Sequence, residues 1–179
     1  MEQKHEIAVF GGGCFWCTEA IFKHLRGVSS VMPGYSGGRV PNPTYEQVSS
    51  GTTGHAEATR VEYDPALIKY ETLLDVFFAE HDPTTPNRQG DDVGEQYRSV
   101  VFYATEAQKA AAEHYVKQLE ADRVFKDPIV TAIEPLRNFY EAEDYHRNYY
   151  ETHRGQPYCR YVIDPKIRKL REKFAHLLT

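Results

Sequence analysis

The alternation of apolar and polar positions predicts short strands and helices that follow one another along the whole chain. Glu6 to Phe10 is predicted as a strand, and three glycines follow it directly. Apolar residues at helical spacing predict a helix from Cys14 to Leu25. The other predicted strands are Val28 to Met32, Glu57 to Tyr63, Ser99 to Ala104 and Ile129 to Glu134. The other predicted helices are a short one capped by Asn42 and Pro43 that runs to Gln47, then Pro65 to His81, Thr105 to Ala121, Tyr140 to His153 and Pro165 to Leu178.

This order of elements favours an α+β fold. We expect a two-layer sandwich with a mixed sheet, a ferredoxin-like βαβ core and a long coiled, helical C-terminal part. Residues 33–43 and 82–94 lack periodicity and are rich in turn formers, so both are predicted loops. No repeat or linker divides the chain, which predicts one domain covering residues 1–179.

Composition and charge exclude several classes of function. The chain has 21 Lys and Arg against 26 Asp and Glu, a net charge of −5, and it offers no basic stripe for a nucleic-acid backbone. No apolar run approaches the roughly 20 residues that span a bilayer. The first residues lack the pattern of a signal peptide, so we expect a cytoplasmic protein. Three cysteines are too few for a disulfide scaffold and indicate reactive thiols in a reducing compartment.

The segment from Gly11 to Glu19 carries the strongest chemical signal. A strand, a glycine turn and a helix start place Cys14 in the first helical turn, where free N–H groups and the helix dipole stabilise a thiolate. Such a position predicts a depressed pKa and a nucleophilic sulfur. A phosphate loop is excluded because no Gly-Lys-Ser/Thr follows, and a dinucleotide fingerprint is excluded because Trp16 stands where a small residue is needed.

The spacing Cys14-x-x-Cys17 leaves two alternatives open. A zinc-binding interaction module would need further ligands, and only Cys159 with His146 or His153 could complete the set. A general dithiol-disulfide oxidoreductase would use the two close cysteines themselves.

Five ordered segments resemble one known family. They are Gly13-Cys14-Phe15-Trp16 with Glu19, Pro43 to Val48, Gly54 to Glu57, Gln96 to Ser99 and Ala142 to His146. Together they resemble the A-type peptide methionine sulfoxide reductases over nearly the whole chain. The resemblance implies an enzyme that reduces the S epimer of methionine sulfoxide, free or in proteins, without metal, flavin or nucleotide.

The resemblance also implies roles for individual residues. Cys14 is the nucleophile, and Glu57 supplies the proton, assisted by Tyr45 and Tyr97. Substrate-binding residues follow from the resemblance as well: Phe15 and Trp16 form an apolar wall for the S-methyl group. Asp92 lies in the loop of residues 90–94, where the family has an acidic residue near the substrate, and is expected to hold the substrate backbone. His55 and His146 also match family segments, and they are expected to orient neighbouring groups or to pack, not to take part in catalysis.

Recycling of the enzyme is expected to use a second thiol. Cys159 matches the family's recycling cysteine, which would form a disulfide with Cys14 after methionine leaves, and thioredoxin or another dithiol protein would reduce that bond. Cys17 stands where many members have glycine. We expect it to be buried and slow to ionise, as a structural thiol or a relay, with Cys159 as the direct partner. We further expect a monomer.

Overall fold

The computed structural model describes residues 4–179. Its strands are β1 (Glu6–Gly11), β2 (Val28–Ser36), β3 (Ala56–Tyr63), β4 (Arg88–Gln89), β5 (Asp92–Val93), β6 (Val100–Tyr103), β7 (Ala132–Pro135) and β8 (Tyr140–Glu141). Its α-helices are α1 (Phe15–Phe22), α2 (Tyr45–Ser49), α3 (Tyr70–Glu80), α4 (Glu106–Ala121), α5 (Tyr149–Thr152) and α6 (Asp164–Phe174). No helix among residues 4–179 is both long and apolar enough to cross a membrane.

Six strands form one mixed sheet in the order β7-β6-β1-β3-β2-β8. Its centre, β6-β1-β3-β2, is antiparallel throughout, while β7 runs parallel to β6 at one edge. Because β1-α1-β2 and β3-α3-β6 each connect two strands with another strand between them, the centre has the split βαβ arrangement of ferredoxin-like folds. The predicted α+β class and mixed sheet are therefore confirmed.

The main core lies between this sheet and the helices. Phe10 of β1 stacks on Phe22 of α1 and Phe77 of α3, with ring centroids 5.3 and 4.8 Å apart. Alternate residues of β3, including Val61 and Tyr63, face the same core and are fully buried. This alternation is the pattern from which the strand was predicted.

The structure corrects several predicted boundaries. Strand β2 continues to Ser36, through Pro33, where the sequence predicted a loop. Proline is tolerated there because β8 covers only two residues of this edge, Gly34 and Tyr35. Thr44 caps α2 and exchanges hydrogen bonds with Gln47, whereas Asn42 lies outside the helix. The predicted loop of residues 82–94 contains the small hairpin β4-β5.

The predicted helix from Tyr140 to His153 is wrong. This segment, which we call the strap (residues 140–152), consists of β8, a 3-10 turn at Asp144–His146 and the single turn α5. Asn148 has a left-handed backbone with φ of 57°, which breaks any continuous helix. The aromatic spacing that suggested a helix serves contacts to other elements instead.

Candidate active site

A glycine turn places Cys14 at the N-terminus of α1. Gly13 has φ of +89°, a region that side chains other than glycine rarely adopt, and it joins the end of β1 to the helix. Cys14 itself is the extended N-cap residue, one position before the helical turn predicted for it. Its carbonyl accepts the N–H of Cys17 at 3.1 Å. The thiol is 8% exposed, at the buried end of the site.

The carboxyl group of Glu57 lies beside this turn. Glu57 is the second residue of β3, which pairs with β1, and it is 1% exposed. Its Oε1 accepts the backbone N–H of Phe15 at 3.2 Å, while Oε2 has no hydrogen-bond partner among the described residues. Burial raises the pKa of Glu57 to about 8, against the lowering effect of the Phe15 N–H. The side chain therefore carries a proton at neutral pH.

Aromatic rings line the space above Cys14. Phe15 is fully buried against the rings of Tyr45 and His146, with centroids 6.4 and 4.9 Å away. Trp16 is partly exposed and stacks parallel to Tyr149 of the strap, with centroids 3.7 Å apart. Its indole N–H donates to Nδ1 of His146 at 3.0 Å. The strap thus forms one side of the aromatic wall.

Tyr45 and Tyr97 reach the same site from two further elements. Tyr45 begins α2, and Tyr97 ends a 3-10 turn (Glu95–Tyr97) just before β6. Desolvation, followed by the nearby Glu57 carboxyl, raises the pKa of both phenols, that of Tyr45 to about 12. Both hydroxyl groups therefore stay protonated and can donate hydrogen bonds.

Two further carboxylates fasten the strap, and the sequence analysis gave neither a role. Glu143 accepts the hydroxyl of Tyr35 at 2.8 Å and the N–H of Tyr45 at 3.0 Å. Glu19 of α1 is 4% exposed and accepts the Asn148 N–H with both oxygens, at 2.9 and 3.1 Å. Each belongs to a motif that carried the family resemblance, and that was the signal available for finding them.

His55, in contrast, lies away from Cys14. Its imidazole bonds to the Gly38 N–H and the Val40 carbonyl. It fastens the loop after β2, which agrees with the packing role expected for it.

The three cysteines are all buried free thiols. Cys17 lies in α1, three residues after Cys14, and its Sγ is 3.7 Å from the hydroxyl of Tyr158. Tyr158 also donates to Asp92 at 2.8 Å. Cys159 is the next residue and opens a π-helical turn (Cys159–Ile163) that leads into α6. Cys17 therefore lies next to both Cys14 and the segment that carries Cys159.

The ionisation of these thiols differs from the sequence prediction. Burial, the hydrogen bond with Cys17 and the Glu57 carboxyl raise the pKa of Cys14 well above its usual value, so the depressed pKa predicted for it is wrong. In Cys17, the interaction with the neighbouring Cys14 thiol lowers the pKa to about 7, so the slow ionisation expected for Cys17 is wrong as well.

Among residues 4–179, no three side chains of His, Cys, Asp or Glu come together in a way that could hold a metal ion. In particular, Cys159 is hydrophobically packed, and His153 stacks on Tyr149.

Known proteins share this sequence and arrangement. Residues 6–178 match the family model described as peptide methionine sulfoxide reductase. The chain belongs to that family. A Sulfolobus acidocaldarius peptide methionine sulfoxide reductase MsrA is 56% identical over 169 residues, which cover 94% of this chain and 95% of that protein. The MsrA of Chromobacterium violaceum is 54% identical, covering 97% of this chain and 98% of its own.

Solved structures give the same result. Reduced Mxr1 from Saccharomyces cerevisiae has a TM-score of 0.79 and 33% identity, covering 87% of this chain and 90% of its own. Mxr1 in complex with Trx2 has a TM-score of 0.56 and 24% identity, covering 83% of this chain and 87% of its own, and shows likeness of fold. The resemblance inferred from five motifs and the enzyme class it implied are both confirmed.

Proposed function

We propose that this reductase converts methionine S-sulfoxide, free or in proteins, to methionine, with Cys14 as nucleophile and Glu57 as proton donor. The observation that carries the proposal is the buried Glu57 carboxyl next to the Cys14 turn, joined to it through the Phe15 N–H. A pKa of about 8 keeps this group protonated at neutral pH, as a donor to the sulfoxide oxygen must be. The relatives' name as methionine sulfoxide reductases supports the same substrate.

The first step balances within the site. Glu57 gives its proton to the sulfoxide oxygen, and Cys14 loses its own proton to the carboxylate left behind. The Cys14 sulfur attacks the substrate sulfur, and the oxygen ends on Cys14 as a sulfenic acid while methionine departs. Because Glu57 acts first as acid and then as base, the raised pKa of Cys14 does not prevent the reaction.

The surrounding side chains select and orient the substrate. The rings of Phe15 and Trp16 contact the S-methyl group, since sulfur and methyl groups pack favourably against aromatic rings. The hydroxyls of Tyr45 and Tyr97 hydrogen-bond the sulfoxide oxygen. Asp92, which already holds Tyr158, binds the backbone of the substrate.

Recycling begins with Cys17 and passes to Cys159. Cys17 lies in the first turn of α1, where its backbone N–H donates to the Cys14 carbonyl, so it is the thiol that attacks the sulfenic acid first. This order replaces Cys159, the direct partner preferred from the sequence, because Cys159 lies inside a π-helical turn beyond Tyr158. Cys159 then attacks the sulfur of Cys17, so that a Cys17–Cys159 bond forms as the Cys14–Cys17 bond breaks and Cys14 leaves as a thiol. Thioredoxin reduces the new bond, and the existence of an Mxr1 complex with Trx2 supports this partner. The proposal includes a monomer working in the cytoplasm.

The first test is methionine release from each sulfoxide epimer. The wild-type enzyme should release up to two equivalents of methionine from the S epimer without reductant, because exchange with Cys159 returns Cys14 as a thiol, and it should turn over with dithiothreitol. Cys14→Ser should release none, because a serine hydroxyl is a poor nucleophile toward sulfur. Methionine formation by Cys14→Ser, or dithiol activity that does not depend on sulfoxide, would overturn the proposal in favour of a general oxidoreductase.

The second test addresses the order of the thiols. Cys159→Ser should form a Cys14–Cys17 disulfide at the normal rate and lose turnover with thioredoxin while keeping turnover with dithiothreitol. Cys17→Ser should still release one equivalent of methionine but should accumulate sulfenic acid. Peptide mapping decides between the two orders: a Cys14–Cys159 bond formed at the wild-type rate in Cys17→Ser would contradict the relay.

A further inference from the structure

Glu80 is a buried carboxyl group that the reduction step leaves unused. It is the last residue of α3 and is 6% exposed. Neither of its two oxygens has a hydrogen-bond partner among the described residues. A buried carboxyl without partners is costly, so such a group indicates a functional role or a place for a bound water molecule. Glu19, which uses both oxygens to hold the strap, shows how a purely structural carboxylate is arranged.

A small cavity connects Glu80 with Cys17. It has a volume of about 10 Å³ and is lined by both residues, together with His81 and Lys166. That volume is close to what one water molecule requires. On its other side, Glu80 lines an open cleft of about 710 Å³ between α3, α4 and α6. Glu80 therefore lies between the buried cavity that reaches Cys17 and the cleft that opens to solvent.

The other groups around the cavity are unsuited to take a proton. His81 engages the Phe77 carbonyl through Nδ1 and the Ser99 hydroxyl, 2.7 Å away, through Nε2. Its burial lowers the pKa to about 4. Lys166 is cationic and stabilises a thiolate at Cys17.

Burial and the surrounding charges together set the pKa of Glu80 near neutrality. Burial raises the pKa of Glu80 to about 7, while three lysines on one face of α6 oppose the rise: Lys169, Lys166 and Lys173. Further charged groups line the same cleft, namely Asp75, Asp82, Lys126 and Asp127. Acid and base forms of Glu80 are thus both populated around pH 7.

We propose that Glu80 accepts, through one water molecule in this cavity, the proton that Cys17 loses when it attacks the sulfenic acid of Cys14. The inference rests on the proposed relay through Cys17. The Cys14 thiol that lowers the pKa of Cys17 in the reduced enzyme is absent once Cys14 is a sulfenic acid, so Cys17 must give up a proton when it attacks. The sulfur–sulfur bond forms as the sulfur–oxygen bond of Cys14 breaks, and the departing hydroxide takes a proton from Glu57 and leaves as water. Cys17 sulfur is oxidised and Cys14 sulfur is reduced by the same amount. Glu80 then returns its proton to solvent through the cleft.

Single-turnover kinetics of Glu80→Gln test this assignment. Methionine release, together with loss of the first free thiol, reports the first step, and loss of the second free thiol reports disulfide formation, each followed from pH 5.5 to 9. Glu80→Gln should keep the wild-type rate of methionine release but form the disulfide about tenfold or more slowly at pH 7, within the range for a lost proton acceptor. Its pH profile should lose the inflection near pH 7. Glu71→Gln, an exposed substitution on the same helix, should match the wild type in both steps.

A conservative variant separates a proton-accepting role from a structural one. Glu80→Asp retains a carboxylate and should restore the inflection and part of the rate. Disulfide formation by Glu80→Gln with the wild-type rate, or a slowed rate with an unchanged pH inflection, would overturn the inference. Loss of methionine release in the wild-type enzyme would instead refute the proposed function, so the two failures are distinct.

Discussion

The two sides of the active site are held by different kinds of contact. On the sheet side, Cys14 follows β1 across the glycine turn and Glu57 lies on β3, and the hydrogen-bonded pairing of these two strands is backed by stacked aromatic residues of the core. On the strap side, His146 and Tyr149 belong to a segment with little regular structure, fastened by the carboxylates of Glu19 and Glu143. The reacting groups lie on the rigid side, and one wall of the substrate pocket lies on the other.

This difference suggests how the two sides divide the work. A displacement of about 1 Å between nucleophile and proton donor can cost about 100-fold in rate, which favours placing them on a packed sheet. The binding wall must accept methionine sulfoxide within different neighbouring sequences, and a segment held by a few hydrogen bonds can adjust. Substitutions on the sheet side should therefore change kcat, whereas substitutions that loosen the strap should change KM.

The largest effect is expected from Glu57→Gln on the sheet side. Glutamine keeps the size of the side chain but has no acidic proton, so the rate constant of methionine release should fall by about 10²–10⁴ at pH 7. The wild-type rate constant should decline as the pH rises through about 8, because Glu57 then loses its proton, and the variant should lack this decline. Rapid-quench measurement of methionine against pH checks both statements.

Glu62→Gln is the matched control for this prediction. Glu62 lies on the same strand at a position of opposite parity, so its side chain points away from the Glu57 face. Its rate and pH profile should equal those of the wild type. Near-normal methionine release by Glu57→Gln at pH 7 would move the proton donor to Tyr45 or Tyr97.

The same division explains which features the sequence could predict. The helices α3 and α6 follow local apolar periodicity, because each packs an apolar face against the main core. The turn at Cys14 was predictable because glycine, strand and helix signals coincide within a few residues. Cys14 and Glu57 are 43 positions apart in the sequence. The prediction that they act in one site came from the family motifs and not from periodicity.

The strap and the thiol pKa values were not predictable from local patterns. The fold of the strap depends on contacts about 100 or more positions away, such as Trp16 with His146 and Glu19 with Asn148. Its aromatic residues mimic a helical repeat while they serve those contacts. The pKa of Cys14 was predicted from the helix dipole alone, and burial and the neighbouring Glu57 outweigh that dipole.

A smaller effect is expected from Glu19→Gln, which loosens the strap and leaves the reacting groups in place. Both Glu19 oxygens share the one Asn148 N–H, and glutamine keeps one acceptor oxygen but replaces the other with a donor, so the bifurcated bond is reduced to a single, uncharged one. A net hydrogen bond contributes about 0.5–1.5 kcal/mol, which predicts a KM for a methionine sulfoxide peptide that is raised about 2- to 12-fold. The kcat should stay within about twofold, because Cys14 and Glu57 do not depend on the strap.

The fluorescence of Trp16, the single tryptophan of the chain, should shift as its stacking on Tyr149 weakens. Glu113→Gln, an exposed substitution on α4, serves as the control and should leave KM and fluorescence unchanged. An unaltered KM in Glu19→Gln, or a loss of kcat as large as that expected for Glu57→Gln, would show that the two sides of the site do not separate as their contacts indicate.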